Sequence, residues 1–148
     1  DITIVNIYAP NTGAPRYIKQ ILLELKREID PNTIIAGDFN TPLSALDRSD
    51  HPDKINEETS NLICTVDQMD LVDISRTFHL MAAEFTLFSL AHGSSSRLDR
   101  MLGHKTILNK FQKTEICLEL CSGFSGIAFE INKTSVVYYY LGANVWFV

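Results

Sequence analysis

The chain has 148 residues, enough for one domain with a sizeable core; 45% of them are hydrophobic and 21% are charged. The formal net charge is −5, which argues against tight duplex binding because nucleic-acid-binding proteins usually present a basic face. A local basic groove is still compatible with that sum, since the field depends on where the charges lie. No apolar run approaches the roughly 20 residues that a membrane-spanning helix needs.

The cysteines and the first residues of the chain indicate the cellular compartment. The chain has three cysteines without CxxC spacing, Cys64, Cys117 and Cys121. They predict buried or half-buried thiols in a reducing compartment rather than disulfides or a zinc site. The opening "DITIVNIYAP" lacks the basic segment and cleavage site of a signal peptide. We therefore predict an intracellular protein, in the nucleus or the cytoplasm. Because the chain starts inside a strand without Met, we also predict a fragment.

The first forty residues predict a strand, a helix and a second strand. "ITIVNIYA" (2–9) is rich in β-branched residues and predicts a largely buried strand, and "PNTG" predicts a turn. Residues 14–30 predict an amphipathic helix, in which Ile18 and Leu22 flank an apolar face. That face consists of Tyr17, Ile21, Leu25 and Ile29. "TIIAGD" then predicts a short buried strand, and this βαβ-like order favours an α/β fold.

The middle of the chain continues the mixed pattern. A long polar connection (41–58) leads to a second helix whose apolar residues have helical spacing: Leu62, Ile63, Val66 and Met69. "DLVDI" (70–74) is ambiguous. "EFTLFSL" (84–90) and "RLDRMLG" (97–103) predict two strands of a hairpin joined by the flexible loop "AHGSSS".

The end of the chain predicts a short helix at "KTILNKF" and two closing strands at "KTEICLELC" and "GIAFEIN". The tail "KTSVVYYYLGANVWFV" differs, since it combines five aromatic residues with a single charge. It either covers a hydrophobic surface or is an aggregation-prone strand. We therefore divide the chain into 1–131 and a divergent apolar tail, 132–148, which could dock a partner or support self-association.

Asp38 and Asn40 are the first candidates for chemistry, because they follow the buried strand at its carboxyl end. They lie on the same side if the strand geometry continues. A carboxylate and an amide at such an edge can hold a hard cation, orient a water molecule or bind a phosphate. The alternative is a simple turn, since Asp and Asn cap helices and initiate Asx-turns.

Four segments, in this order, resemble the endonuclease/exonuclease/phosphatase superfamily, and most closely the apurinic-type endonuclease domain of LINE-type retrotransposons. They are "NIYAPNTGAPRYIKQ", "GDFNTPLSALDRS", "EFTLFS" and "SRLDRMLG". The motif GDFN alone would be weak, but the string of segments at these spacings is specific, and the resemblance covers about residues 2–131. It implies part of a four-layer αββα sandwich.

The resemblance also implies a magnesium-dependent phosphodiesterase that nicks DNA. By that likeness Asp38 positions the attacking water, while Asn40 and Tyr8 contact the scissile phosphate. Asp99 would orient a catalytic histidine. The same likeness places further residues on the DNA side, with the loop 89–96 reaching into the minor groove: Asn11, Arg48, Thr86, Ser96 and Arg97.

The sequence departs from this family in two ways. The family's earlier segment, which carries an Asn and a metal-binding Glu, has no counterpart here, so we predict that this chain is roughly the C-terminal half. The family also ends in Ser-Asp-His-Ser, where this chain has "SGFSG", with Gly123 at the Asp position and Phe124 at the His position. Neither residue can bind a metal or exchange a proton. No confident metal ligand therefore remains, and Mg²⁺ binding is in doubt.

Three hypotheses follow. The chain is a DNA-nicking enzyme, or a remnant impaired in catalysis, or a protein-interaction module that uses the apolar tail. The remnant would keep weak nucleic-acid contact through the hairpin loop, Arg48, Arg97 and Arg100. Salt-sensitive DNA binding distinguishes the remnant from the interaction module.

Overall fold

In the computed structural model, strands and helices alternate over the first half of the chain, and the described elements of the second half are mainly strands. The described residues are 2–44, 55–78, 87–89, 94–96, 99–121, 124–131, 134–141 and 144–147. Two short 3₁₀ helices span Leu25–Arg27 and Lys105–Lys110. The elements in chain order are β1 (Thr3–Tyr8), α1 (Ala14–Glu24), β2 (Thr33–Asp38), α2 (Glu57–Gln68), β3 (Leu71–Asp73), α3 (Ile74–Phe78), β4 (Leu87–Ser89), β5 (Ser94–Ser96), β6 (Asp99–His104), β7 (Phe111–Cys121), β8 (Phe124–Ile131), β9 (Thr134–Leu141) and β10 (Asn144–Phe147).

A mixed four-stranded sheet with the order β1-β2-β6-β3 forms the centre of the described fold. β1 and β2 are parallel, and α1 connects them, while β6 runs antiparallel to both β2 and β3. A parallel pair needs a crossover connection, and the amphipathic helix supplies it. The predicted strand–helix–strand order and the α/β class are therefore confirmed.

Apolar side chains cover both faces of this sheet. On one face, Ile18 and Leu22 of α1 and Leu62 of α2 pack in a cluster with Ile35 and Leu102. On the other face a second cluster contains Ile34, Ala36, Met101, Ile74 and Ile107. Burying one such aliphatic side chain contributes about 1.5–3 kcal/mol. β2 is therefore fixed from both sides, which holds the polar residues at its end in place.

The buried stripe of α1 differs from the predicted one. Ala14, Pro15, Ile18 and Leu22 are buried, whereas Tyr17 is 40% exposed. The helix is therefore rotated so that the residues flanking the predicted face point to the sheet. The predicted apolar face is therefore wrong at Tyr17, while Ile21 and Ile29 pack only at the margin of the core.

β1 was predicted to be largely buried, and this is wrong. Of its six residues only Ile7 is buried, and Thr3, Asn6 and Tyr8 are exposed. The physical reason is its position, because β1 is an outer strand in the order of the described sheet. A strand at the edge of a sheet has a neighbouring strand on one side only, so its side chains have fewer packing partners.

The predicted hairpin between 84–90 and 97–103 is also wrong. β4 pairs with β5, which lies in the stretch predicted as a loop, whereas β6 pairs with β2 and β3. Met101 and Leu102 are both fully buried although they point to opposite faces. Both faces of β6 are covered, since Leu102 packs in one apolar cluster and Met101 in the other.

The C-terminal strands form a second, antiparallel sheet with the order β10-β9-β8-β7. β7 and β8 correspond to the two predicted closing strands, and the 3₁₀ helix Lys105–Lys110 to the predicted short helix. β9 pairs with β8, so the second sheet continues across the boundary proposed at residue 131. The division of the chain at that residue stays a prediction.

Cys64 on α2 is exposed, whereas the sequence predicted a buried or half-buried thiol. Among the described residues, no helix is both long and apolar enough to cross a membrane.

Gly37 is the backbone position on which the contact between β1 and β2 depends. Its φ is +140°, and a Cβ there would lie 2.0 Å from the Ile7 carbonyl oxygen. We expect Gly37→Ala to lower the free energy of unfolding by about 3 kcal/mol, because both the conformation and the space exclude a side chain. Urea unfolding followed by circular dichroism measures this loss.

Gly13 provides the matched control. It also has a positive φ, +73°, but a Cβ there would meet nothing within 4 Å. Gly13→Ala should therefore cost only the conformational strain, about 1 kcal/mol. Equal losses in the two variants would show that steric exclusion at Gly37 is not what matters.

Candidate active site

Three of the predicted catalytic residues lie in one row across the central sheet. Tyr8 at the end of β1 is paired with Asp38 at the end of β2, and Asp38 is paired with Asp99 at the start of β6. Residues paired in this way on neighbouring strands have close Cα atoms. Segments far apart in the chain are thus brought together at one edge of the sheet, while the roles of their side chains stay predictions.

Asn40 reaches the same place by a turn rather than by continued strand geometry. β2 ends at Asp38, and Asn40 adopts a left-handed conformation with φ +47°, which Asn tolerates better than most residues. Its backbone N–H donates to Asp38 Oδ1 at 2.8 Å. This hydrogen bond is typical of an Asx-turn, so the interpretation of Asp38 and Asn40 as a turn is correct locally. The strand does not continue to Asn40, so strand alternation is not what places the two side chains together.

The turn is joined to the end of β1 by two further hydrogen bonds. Asn40 Nδ2 donates to the Ala9 carbonyl at 2.6 Å, and Ala9 N–H donates to the Asp38 carbonyl at 2.9 Å. A carboxamide has two N–H donors, so this bond leaves capacity for a second acceptor. The Asp38 and Asn40 side chains are therefore fixed relative to the residue that follows Tyr8.

Phe39 anchors this turn, and sequence reasoning overlooked it. Its side chain is fully buried in the cluster that includes Ile7 and Leu62, while the adjacent Asp38 and Asn40 are only half-buried. An aromatic residue that alternates with polar neighbours is the signal that could have identified it. Burial of Phe39 directs the two polar side chains away from the core.

Burial raises the pKa of the Asp38 carboxyl group above its ordinary value of 3.8. The Asn40 N–H, which stabilises the carboxylate, lowers that pKa but offsets the effect of burial only in part. Asp38 is thus a better proton acceptor than an exposed aspartate.

The structure describes only some of the residues predicted to contact DNA or to replace the family's last catalytic pair. Asn11 is exposed just after β1, and Ser96 is the last residue of β5. Phe124 begins β8, where it is paired with Cys121. The other residues lie outside the described part of the chain: Arg48, Thr86, Arg97, Ser122 and Gly123.

Arg100 was predicted to contact nucleic acid, and its position excludes this. Its side chain is 1% exposed and pairs with Asp73, with 3.2 Å between Arg100 Nη1 and Asp73 Oδ2. A guanidinium enclosed in this way cannot reach a phosphate without leaving the fold. The partner was missed because "DLVDI" offered no signal that Asp73 would accept a buried charge.

The described residues do not form a complete magnesium site. Carboxylate and amide oxygens suit a hard cation, and Asp38 and Asn40 carry such atoms. One Asp38 oxygen already accepts the Asn40 N–H. Among the side chains that the structure describes, no group of three or more Asp, Glu, His or Cys residues could hold a metal ion. Magnesium therefore stays a prediction that rests on family resemblance.

The raised pKa of Asp38 has a consequence for stability. A carboxyl group with a higher pKa in the folded state binds more protons there than in the unfolded chain. Its contribution to stability is therefore lost as the pH rises from 3.8 through the folded-state value. We expect Asp38→Asn, which keeps the oxygen acceptor for Asn40 N–H, to raise the melting temperature at pH 7. It should also remove this part of the pH dependence.

Asp30 is the control of opposite sign. Hydrogen bonds from the Thr33 hydroxyl and the Asn32 backbone N–H lower the pKa of its carboxyl group. Its contribution is present above the ordinary value of 3.8 and is lost as the pH falls through the lower folded-state value. Asp30→Asn should thus lower the melting temperature at pH 7. Two variants that shift in the same direction would contradict the assignment.

Comparison with known proteins identifies the family to which the chain is similar. The model of the endonuclease/exonuclease/phosphatase family matches residues 2–119. A transposon TX1 protein of Xenopus laevis is 31% identical over 120 residues, which is 78% of this chain and 9% of that protein. The chain thus spans a small part of this relative.

Solved structures share the fold at low sequence identity. The endonuclease domain of TRAS1, a telomere-specific non-LTR retrotransposon, has a TM-score of 0.71 at 16% identity, covering 88% of this chain and 57% of that one. An AP endonuclease from Archaeoglobus fulgidus has a TM-score of 0.68 at 15% identity, covering 87% and 61%. The 3′–5′ exonuclease NExo of Neisseria meningitidis has a TM-score of 0.69 at 18% identity, covering 86% and 60%.

The chain therefore spans about three fifths of these structures. The transposon relative and the retrotransposon domain confirm the expected likeness to LINE-type endonuclease domains. With the family model matching most of its length, the chain belongs to the endonuclease/exonuclease/phosphatase family.

Proposed function

We propose that this chain carries the phosphate-binding and water-orienting part of a DNA-nicking phosphodiesterase site, and that its hydrolytic step is impaired. The observation that carries the proposal is the row formed by Tyr8, Asp38 and Asp99, with Asn40 fixed beside it. The named activities of the structural relatives, an AP endonuclease and a retrotransposon endonuclease domain among them, support DNA as the substrate class.

Each described side chain has a chemically suitable role in this proposal. Asp38 is a half-buried carboxylate of raised pKa, which suits it to accept a hydrogen bond and then a proton from an attacking water. The second N–H of the Asn40 amide and the hydroxyl of Tyr8, which is 48% exposed, can donate to phosphoryl oxygens. Such donors stabilise the charge that develops on those oxygens in the transition state.

The proposed impairment rests on two residues. Gly123 and Phe124 occupy the positions where the family pattern has Asp and His. Neither can orient a proton donor or protonate a leaving oxygen, and loss of one such group costs on the order of a hundredfold to ten-thousandfold in rate. Asp99 then has no histidine at that position to orient. Magnesium dependence belongs to the same proposal and rests on the family likeness.

Restoring the two residues tests the proposal for catalysis. We expect the unaltered chain to nick supercoiled plasmid at most weakly in the presence of Mg²⁺. The double variant Gly123→Asp, Phe124→His should nick on the order of a hundredfold faster, because a proton donor is regained. Adding Asp38→Ala should abolish this gain, whereas Asp30→Ala, outside the site, should preserve it. Gel electrophoresis of relaxed plasmid, with and without EDTA, measures the rates.

Two outcomes would overturn this proposal. If the double variant is folded by circular dichroism and nicks no faster, Gly123 and Phe124 are not what limits hydrolysis. If the unaltered chain already nicks as fast as the double variant, the site is not impaired.

DNA binding gives an independent test that does not require hydrolysis. We expect weak affinity for a fluorescein-labelled duplex, falling steeply between about 50 and 200 mM salt because phosphate contacts release counterions. Tyr8→Phe should weaken binding. Tyr17→Phe is the matched control, since Tyr17 is similarly exposed but lies on α1. Fluorescence anisotropy measures both affinities. Binding that ignores salt, or responds equally to both variants, would favour the protein-interaction alternative.

A further inference from the structure

We propose that a polar cluster behind the sheet positions the Asp38–Asn40 turn. The cluster, named here the Asp73 cluster, consists of Ser44, Asp73, Arg76 and Arg100. Its importance for chemistry rests on the proposed function, but its effect on the turn can be measured without any activity. Its members are positioning residues, because they act on the site through the backbone that carries Asp38 and Asn40.

Asp73 is the centre of the cluster. It is the last residue of β3, and its two carboxylate oxygens bind different elements. Oδ1 accepts the backbone N–H of Arg76 at 3.0 Å, which caps the first turn of α3. Oδ2 pairs with Arg100 Nη1 of β6 at 3.2 Å. One side chain therefore joins the end of β3, the start of α3 and the strand next to β2.

The Arg76 side chain extends this cluster to the loop after β2. Arg76 Nη2 donates to Ser44 Oγ at 3.1 Å, across 32 positions of sequence. Ser44 lies six residues after Asp38, in the same connection that carries Asn40. The Arg76–Ser44 hydrogen bond thus ties this connection to α3 a few residues beyond the candidate site.

Arg100 reaches the near end of the same segment. In the sheet register it is paired with Gly37, the residue immediately before Asp38. Its side chain is 1% exposed and that of Asp73 is 13% exposed. A charged pair so far removed from water is costly to break, because one charge would be left uncompensated in a poorly solvated place. The pair therefore keeps β6 and β3 rigid beside the end of β2.

The cluster supports the turn from the side opposite the row of site residues. Leu102, which is paired with Asp73, packs in the cluster with α1 and α2, whereas Ala36, two residues before Asp38, packs in the opposite one. Side chains alternate between the two faces along a strand. The Asp73 cluster and the row of site residues therefore lie on opposite faces of the sheet.

Hydrogen exchange at the Asn40 amide tests this proposal, because that N–H donates to Asp38 Oδ1 and so reports the turn itself. We expect Ser44→Ala to speed its exchange about tenfold, the effect of losing one hydrogen bond that holds the loop. Arg76→Gln should do the same, since it shortens the side chain but leaves the Arg76 N–H cap on Asp73. Exchange at Ile35, in the buried part of β2, should not change in either variant.

Two controls complete the experiment, which is read by NMR on the full chain. Ser44→Thr keeps the hydroxyl and should restore slow exchange at Asn40. Thr106→Ala removes the exposed hydrogen bond between Thr106 and His104 and should leave Asn40 unaffected. Unchanged Asn40 exchange in Ser44→Ala would overturn the proposal, as would an equal increase at Ile35, which would indicate general loss of stability. Neither reading depends on whether the chain nicks DNA.

Discussion

The contact between β1 and β2 at Gly37 is the constraint on which the candidate site depends. Gly37 lets the Ile7 carbonyl approach closer than any side chain would allow, so the ends of the two strands lie side by side. Burial on both faces then fixes β2 against α1 and α2 on one side and against Ile74 and Ile107 on the other. Tyr8 and Asp38 come together because the backbones of their strands do.

Two opposed electrostatic environments lie on β2 and β3, the two strands that pair with β6. Asp73 is paired with a buried guanidinium and hydrogen-bonded to a helix terminus, which compensates its charge. Asp38 has one backbone N–H and is partly desolvated, so its ionised form is disfavoured. The first arrangement suits a carboxylate that holds structure, and the second suits one that handles protons. Residue type alone does not distinguish these two roles, but their surroundings do.

Local sequence patterns predicted much of this fold, but they did not predict which strands and side chains pair over long distances in the chain. The βαβ order and the candidates at the end of β2 followed from apolar periodicity and from the position of polar residues after a buried run. The partner of Arg100 lies 27 positions away, and the partner strand of β6 is β2 rather than its neighbour in sequence. Tyr17 was misplaced because a small rotation of α1 changes which residues meet the sheet. The strand pairing, the ion pair and the helix rotation all depend on tertiary packing, which local sequence patterns do not reveal.

Gly37 also makes the site sensitive to mutation at a residue that takes no part in the chemistry. Every single-nucleotide missense change of a glycine codon introduces a residue with a Cβ, and at this position that atom would lie 2.0 Å from a carbonyl oxygen. A copy of this sequence could therefore lose the juxtaposition of Tyr8 and Asp38 by one substitution while keeping both residues. A survey of such copies by their polar site residues alone would count that copy as intact.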